Sequence, residues 1–206
     1  MAAGAWLSVS SLLPRSAPRW LIDPLVGVLA GLGVTPNALT VAGVLGNVGA
    51  AFLAARGEFL AAGIVMLAAS SLDLLDGALA RATGKATAFG SVFDAVMDRV
   101  SEGAVLFGLL YYFSERGGRE EELLIFAAVV TSFLVSYARA HAEIVGVAMR
   151  EGLFGRAERV LLLGIGLIAD QVTVALWVLA VAAGATVLQR LALVWLRADR
   201  GGDSER

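Results

Sequence analysis

Cysteine is absent from the 206 residues, and histidine occurs once, as His141. The first absence excludes a disulfide-stapled scaffold. Together they argue against zinc, whose sites draw on Cys and His. Lysine also occurs once, as Lys85. Charge of either sign is scarce, at 17 % of residues, where a soluble domain carries about 25 %. The net charge of −2 implies no general affinity for nucleic acid. Hydrophobic residues instead reach 58 % and the mean hydropathy is +0.79. A single domain of this length keeps too much surface in water to hide that excess. The composition therefore predicts an all-α integral membrane protein, and it excludes a disordered chain.

A spanning helix needs about 20 mostly apolar residues. Six stretches are candidates: about 38–55, 59–81, 91–114, 122–144, 156–169 and 172–196. Thr35 is placed to cap the first, with Pro36 at its opening turn. Asp170 and Gln171 form the only polar break between the last two, which predicts a tight hairpin. Residues 1–34 hold three of the four prolines, and residues 1–9 lack the basic start of a secretory signal. Residues 17–32 read as a juxtamembrane helix lying in the interface, anchored by Trp20. The organisation expected is an N-terminal segment (1–34), a six-span domain (35–197) and a polar tail (198–206). Six spans place both termini on one side. Thirteen of the sixteen basic residues fall on that side, against Arg56, Arg116 and Arg119 on the other. The positive-inside rule makes it the cytoplasmic side of the cell membrane; several of the thirteen lie within spans near their ends, so the bias is partly functional, while Arg150, Arg197 and Arg200 read more as topogenic or headgroup charge.

Within this apolar chain, four aspartates interrupt two spans. Asp73 and Asp76 are three apart, and Asp94 and Asp98 four apart, so each pair projects from one helical face. Acids inside a span are costly and functional by default. The short connection at 82–90 lets the two helices lie antiparallel, so the four carboxylates can converge. Unpaired they would repel one another, and hard divalent cations such as Mg²⁺ or Mn²⁺ suit such oxygen ligands. Gly77 and Ala80 leave the helix bare beside Asp76, Arg81 supplies a fixed positive charge, and Thr83, Lys85 and Thr87 offer donors from the following loop. Together these suit a diphosphate. A divalent-cation channel using the same acids is the alternative from another class; it has no use for Gly77, Ala80 or Arg81.

The string from Asp73 to Asp98 is similar to the signature of the CDP-alcohol phosphotransferase family, DxxDGxxAR(x8)GxxxDxxxD, at all eight defined positions. The resemblance implies transfer of a phosphatidyl group from CDP-diacylglycerol to the hydroxyl of an alcohol, with release of CMP. It implies that Asp73, Asp76 and Asp94 ligate two metal ions, and that Asp98 contributes a ligand and serves as general base. Gly77, Ala80, Arg81, Thr87 and Gly90 would line the CDP site, with Asp73 and the Pro36-Asn37 lead-in to the first span. It also implies a homodimer surrounded by membrane lipids.

Three further stretches resemble the inositol-phosphate-using members of that family. Residues 136–143, Ser-Tyr-Ala-Arg-Ala-His-Ala-Glu, are similar to an SYxKARAE pattern. Residues 152–159, Gly-Leu-Phe-Gly-Arg-Ala-Glu-Arg, are similar to GLFERPER, and residues 186–190 to TVxQR. They imply a basic pocket of Arg139, Arg156, Arg159 and Arg190 for the phosphate of an acceptor such as inositol phosphate. The chain departs from those patterns at His141, where Arg is usual, and at Gly155, where Glu is usual. Glycerol phosphate, serine and an archaeal-type lipid donor remain alternatives of the same chemistry.

Overall fold

The computed structural model describes residues 19–149 and 151–202, with side chains from Ile22 to Arg197 apart from Arg150. The expectations placed on residues 1–9, Arg15, Arg150 and Arg206 lie outside the described residues. So do those resting on the side chains of Arg19, Trp20 and Arg200. Among the described residues there are seven helices and no strand: α1 (Arg19–Gly31), α2 (Pro36–Ala55), α3 (Phe59–Ala82), α4 (Ala88–Ser114), α5 (Arg119–Ile144), α6 (Arg156–Ile168) and α7 (Val172–Gly202).

Local chemistry sets the boundaries. The Thr35 hydroxyl accepts from the Ala38 amide at 3.2 Å and Pro36 opens α2, a hydroxyl cap followed by proline in the first turn. Thr87 caps α4 in the same way, accepting from the Gly90 amide at 3.0 Å. The α2–α3 turn passes through Gly57 at φ 80°, and the α6–α7 hairpin through Asp170 at φ 55°. Gly and Asp both tolerate that left-handed geometry. Helix α7 runs on to Gly202, into the segment expected to be a polar tail.

Packing closes α2–α7 into a ring in the order α2, α3, α6, α7, α5, α4 and back to α2. Helix α1 lies outside it against α3, with Val26 packed on Leu79 and on Leu39 of α2. Met66, Leu106, Leu109, Ile125, Leu163, Leu167, Leu176 and Leu179 fill the interior. Small residues let backbones approach, as in membrane bundles. A Cβ at Gly63 would stand 2.7 Å from the Gly164 carbonyl oxygen, and one at Gly46 would stand 2.6 Å from Ala69 Cβ. The perimeter carries large apolar side chains, among them Phe52, Phe107, Phe126, Trp177 and Trp195. Such a contiguous apolar exterior suits lipid rather than water.

Among the described residues four helices are long and apolar enough to cross a membrane: Pro36–Ala55, Phe59–Ala82, Arg119–Ile144 and Val172–Arg197. The other two expected spans differ for physical reasons. Helix α4 has the length, at 27 residues, but carries Asp94, Asp98, Arg99 and Glu102. Helix α6 has 13 residues, about 20 Å at 1.5 Å per residue, short of a hydrocarbon core of about 30 Å. Both departures fall on helices that bear charged groups of the site, although α3, which carries Asp73, Asp76 and Arg81, keeps the length and hydropathy of a span.

Candidate active site

The two acid-bearing helices flank α2 in the ring, and their carboxylates come to one end of it in an order the spacing did not show. Each helix sends one acid to either side. Asp76 and Asp94 line a cleft of about 240 Å³. Asp73 and Asp98 turn to α6, where the Arg156 guanidinium bridges them through Nη2, at 2.5 Å and 2.9 Å. Arg99 flanks Asp98 at 3.5 Å.

The cleft gathers most of the residues expected at a diphosphate. Pro36, Asn37, Gly77, Ala80, Arg81, Lys85, Thr87 and Gly90 all border it. The small residues have a geometric reason. A Cβ at Gly77 would sit 3.4 Å from Arg81 Nη1, so the guanidinium lies over the bare helix surface. A Cβ at Gly90 would stand 3.1 Å from the Thr87 hydroxyl and 3.6 Å from Asn37 Oδ1. Asp73 does not border the cleft. Its Oδ1 would stand 3.1 Å from a Cβ at Gly43 on α2. Thr83, expected to donate into the site, gives its hydroxyl back to the Leu79 carbonyl at 2.7 Å.

Thr40 went unnoticed in the sequence. Its hydroxyl donates to Asp76 Oδ2 at 2.6 Å, with both residues buried. The signal was a polar residue on an apolar span, one turn after the cap, and it carried no motif.

The expected basic residues fall into different surroundings. Arg156 has the acids just described. Arg190 is buried on α7, and one of its Nη atoms donates to the Val135 carbonyl of α5. Its other Nη lies under the α5–α6 connection, where a Cβ at Gly152 would come within 2.6 Å. Gly152 has φ 155°, and no larger residue leaves room there. Arg139 and Arg159 are the like charges nearest Arg190. Arg139 is exposed and pairs with Glu143 at 3.0 Å. Arg159 was expected at an acceptor phosphate. The structure gives it another partner, Glu102, by a buried two-point contact at 2.7 and 2.9 Å. The α5–α6 connection is clasped to α7. The Leu153 amide donates to Gln189 Oε1 at 3.0 Å, the Phe154 amide to the Thr186 hydroxyl at 3.2 Å, and Arg197 pairs with Glu151 at 2.5 Å. Thr186 and Gln189 stood in a noted string without a role; the clasp supplies one.

Three buried polar atoms of the site have no hydrogen-bond partner: Asp94 Oδ1, Arg156 Nε and Arg190 Nε. Buried groups of this kind are normally satisfied. An acceptor oxygen among carboxylates is completed by a cation, and guanidinium N–H groups by an anion. Among the described residues no three carboxylates are gathered closely enough to hold one ion, and Asp73 and Asp98 are paired with Arg156. The donor set, four carboxylates without Cys or His, still fits a hard divalent cation.

Comparison with known proteins decides the family. Residues 33–188 match the model of the CDP-alcohol phosphatidyltransferases. The chain belongs to that family. Among the relatives of this phosphatidyltransferase, the phosphatidylinositol phosphate synthase of Mycobacterium marinum is 37 % identical over 203 residues, covering 92 % of this chain and 86 % of that one. The archaetidylinositol phosphate synthase of Pyrococcus horikoshii is 35 % identical over 164 residues, covering 79 % and 85 %. The crystal structure of the Mycobacterium tuberculosis phosphatidylinositol phosphate synthase with CDP-DAG bound superposes with a TM-score of 0.78 at 33 % identity, over 85 % of this chain and 94 % of that one. The same enzyme in complex with manganese and citrate gives 0.75 at 34 %, over 84 % and 88 %. The chain is thus a membrane phosphatidyltransferase of phospholipid biosynthesis.

Proposed function

We propose that this phosphatidyltransferase moves the phosphatidyl group of CDP-diacylglycerol to a hydroxyl of inositol phosphate and releases CMP. The observation that carries the acceptor is Arg156. Its guanidinium lies 2.9 Å from Asp98 and keeps a buried Nε–H without a partner. An acceptor phosphate held there brings the rest of that molecule beside a carboxylate able to take its proton. The names of the relatives support the same acceptor, and Arg139 and Arg190 extend the basic surface. The metal reading has Asp73, Asp76, Asp94 and Asp98 holding two Mg²⁺ or Mn²⁺ ions. Bound there, the cations would offset charge on the diphosphate and on the departing CMP.

The chain's own residues supply the rest. Gly77 and Ala80 admit the nucleotide to the helix surface. Arg81, Lys85 and the Thr87 loop bind its diphosphate, with Pro36 and Asn37 at the rim. Thr40 holds Asp76 in place. Asp98 accepts the proton as the acceptor oxygen bonds to the phosphorus that carries the diacylglycerol, and the bond from that phosphorus to CMP breaks. Such a transfer relies on positioning and charge stabilisation.

The test is a panel of acceptors with purified protein, Mg²⁺ or Mn²⁺, and radiolabelled CDP-diacylglycerol. Inositol phosphate is expected to support turnover. Turnover with glycerol phosphate or serine and none with inositol phosphate overturns the acceptor.

The same reading has α2–α7 as six spans, α1 at the interface, and the site and both termini in the cytoplasm, with two copies forming a homodimer. The cysteine-free chain makes the sidedness easy to measure. Val145→Cys lies at the end of the ring that holds the site, and Glu115→Cys at the other. In intact cells a membrane-impermeant maleimide is expected to label the second and spare the first; the reverse pattern inverts the topology.

A further inference from the structure

Helices α4 and α6 are not neighbours in the ring, yet their side chains meet across its interior in two layers. One layer is Asp98 with Arg156, at 2.9 Å. The next, one turn further along both helices, is Glu102 with Arg159. Arg159 Nε donates to Glu102 Oε1 at 2.7 Å and Nη2 to Oε2 at 2.9 Å. The two layers differ in burial. The Arg156 side chain is 25 % exposed and that of Asp98 14 %, whereas Arg159 is 2 % and Glu102 7 % exposed. The outer pair is open to a ligand and the inner one is closed.

A buried ion pair is weak evidence of added stability. Desolvation cancels most of the attraction, and apolar residues of similar volume often serve as well. What a two-point guanidinium–carboxylate contact adds is geometry, since both partners are planar and the fork fits in one register. Register matters here. Helix rise is 1.5 Å and rotation about 100° per residue, so a one-residue slip in the register of α6 would turn Arg156 away from Asp98. The clasp through Thr186 and Gln189 sets the start of α6 against α7. The Glu102–Arg159 pair sets it against α4, the helix that carries Asp98.

We propose that Glu102 and Arg159 are positioning residues: their buried pair sets the register of α6 on α4 and so holds Arg156 beside Asp98, where the anionic group of the acceptor is received. The inference rests on Arg156 as an acceptor ligand, and the experiment separates the two.

Steady-state KM values for inositol phosphate and for CDP-diacylglycerol are measured in four proteins: the unmodified chain, Arg156→Gln, Glu102→Leu/Arg159→Met, and the three substitutions combined. The apolar pair keeps the volume and leaves no unpaired buried charge, and Tm in detergent checks the fold. The double variant is expected to raise the acceptor KM about tenfold or more, leave the CDP-diacylglycerol KM unchanged, and add nothing on the Arg156→Gln background. An acceptor KM like that of the unmodified chain, or an effect that adds to that of Arg156→Gln, overturns the positioning role. If Arg156→Gln itself leaves the acceptor KM unchanged, the reading of Arg156 falls, and the positioning role with it. Should the double variant not fold, Arg159→Lys keeps the charge, loses the fork and is judged by the same two KM values.

Discussion

Replacing Asp98 with asparagine is expected to slow transfer by a thousandfold or more, about 4 kcal/mol of transition-state stabilisation, while CDP-diacylglycerol still binds. The amide keeps the shape of the carboxylate but cannot accept the acceptor's proton. Asp98 also stands apart from the cleft. Its near partners are Arg156 at 2.9 Å and Arg99 at 3.5 Å, whereas Asp76 and Asp94 border the cleft proposed for the nucleotide. A change at Asp98 should therefore reach kcat before it reaches donor binding. The check is kcat with both substrates saturating, alongside direct CDP-diacylglycerol binding and Tm. Equal loss of rate and binding would move Asp98 from proton acceptor to essential metal ligand.

Much of the fold was legible in the residues because hydropathy and capping act locally. Thr35 caps where a hydroxyl precedes an apolar run, and the hairpin at Asp170 follows from the only polar break in a long apolar stretch; the Thr87 cap, by contrast, emerged only in the structure. The interior of the ring was harder, because it is made by partners far apart in the chain. The spacing of Asp73 with Asp76 and of Asp94 with Asp98 predicts two faces, and it grouped the acids helix by helix. In the structure they group across helices, since α6 brings Arg156 to one acid of each pair. Arg159 illustrates the same limit. Its position in a basic stretch pointed to an anion, and only the packing of α6 opposite α4 reveals that Glu102 takes that place. Thr40 gave no charge or motif to notice, and Gln189 stood in the TVxQR stretch without a sign of its partner, because both act by holding other groups still.

These cross-helix pairings also explain how the two helices least suited to lipid are accommodated at the site. Helix α4 bears Asp94, Asp98, Arg99 and Glu102, and α6 is short and opens on Arg156. Neither could stand alone in hydrocarbon at acceptable cost. Inside the ring Asp98 has Arg156 and Glu102 has Arg159, and the outward faces of the helices, α4 with Phe107 and α6 with Ile165 included, stay apolar. The buried charge is thus gathered at the site end of the ring, where Asp76, Glu102, Arg159 and Arg190 lie, while pairs such as Arg56 with Glu58 stay exposed.

Gly77→Leu is expected to abolish CDP-diacylglycerol binding without unfolding the protein. The two expectations rest on separate observations. A Cβ at position 77 meets nothing closer than Arg81 Nη1, at 3.4 Å, which is ordinary contact. No helix packs there, so the substitution strains no interface, and leucine is a better helix former than glycine by about 1 kcal/mol. Beyond the Cβ, however, the leucine side chain projects into the cleft of about 240 Å³ that Asp76, Ala80, Arg81 and Asp94 border. It would take up space the nucleotide needs and push the Arg81 guanidinium off the helix surface. Gly77→Ala fills only the position already shown to be free, and it is expected to weaken binding far less. The measurement is binding of CDP-diacylglycerol by the three proteins, with Tm as the control. A leucine variant that binds the donor as the unmodified chain does would place the nucleotide elsewhere. One that loses Tm would mean that Gly77 serves helix packing.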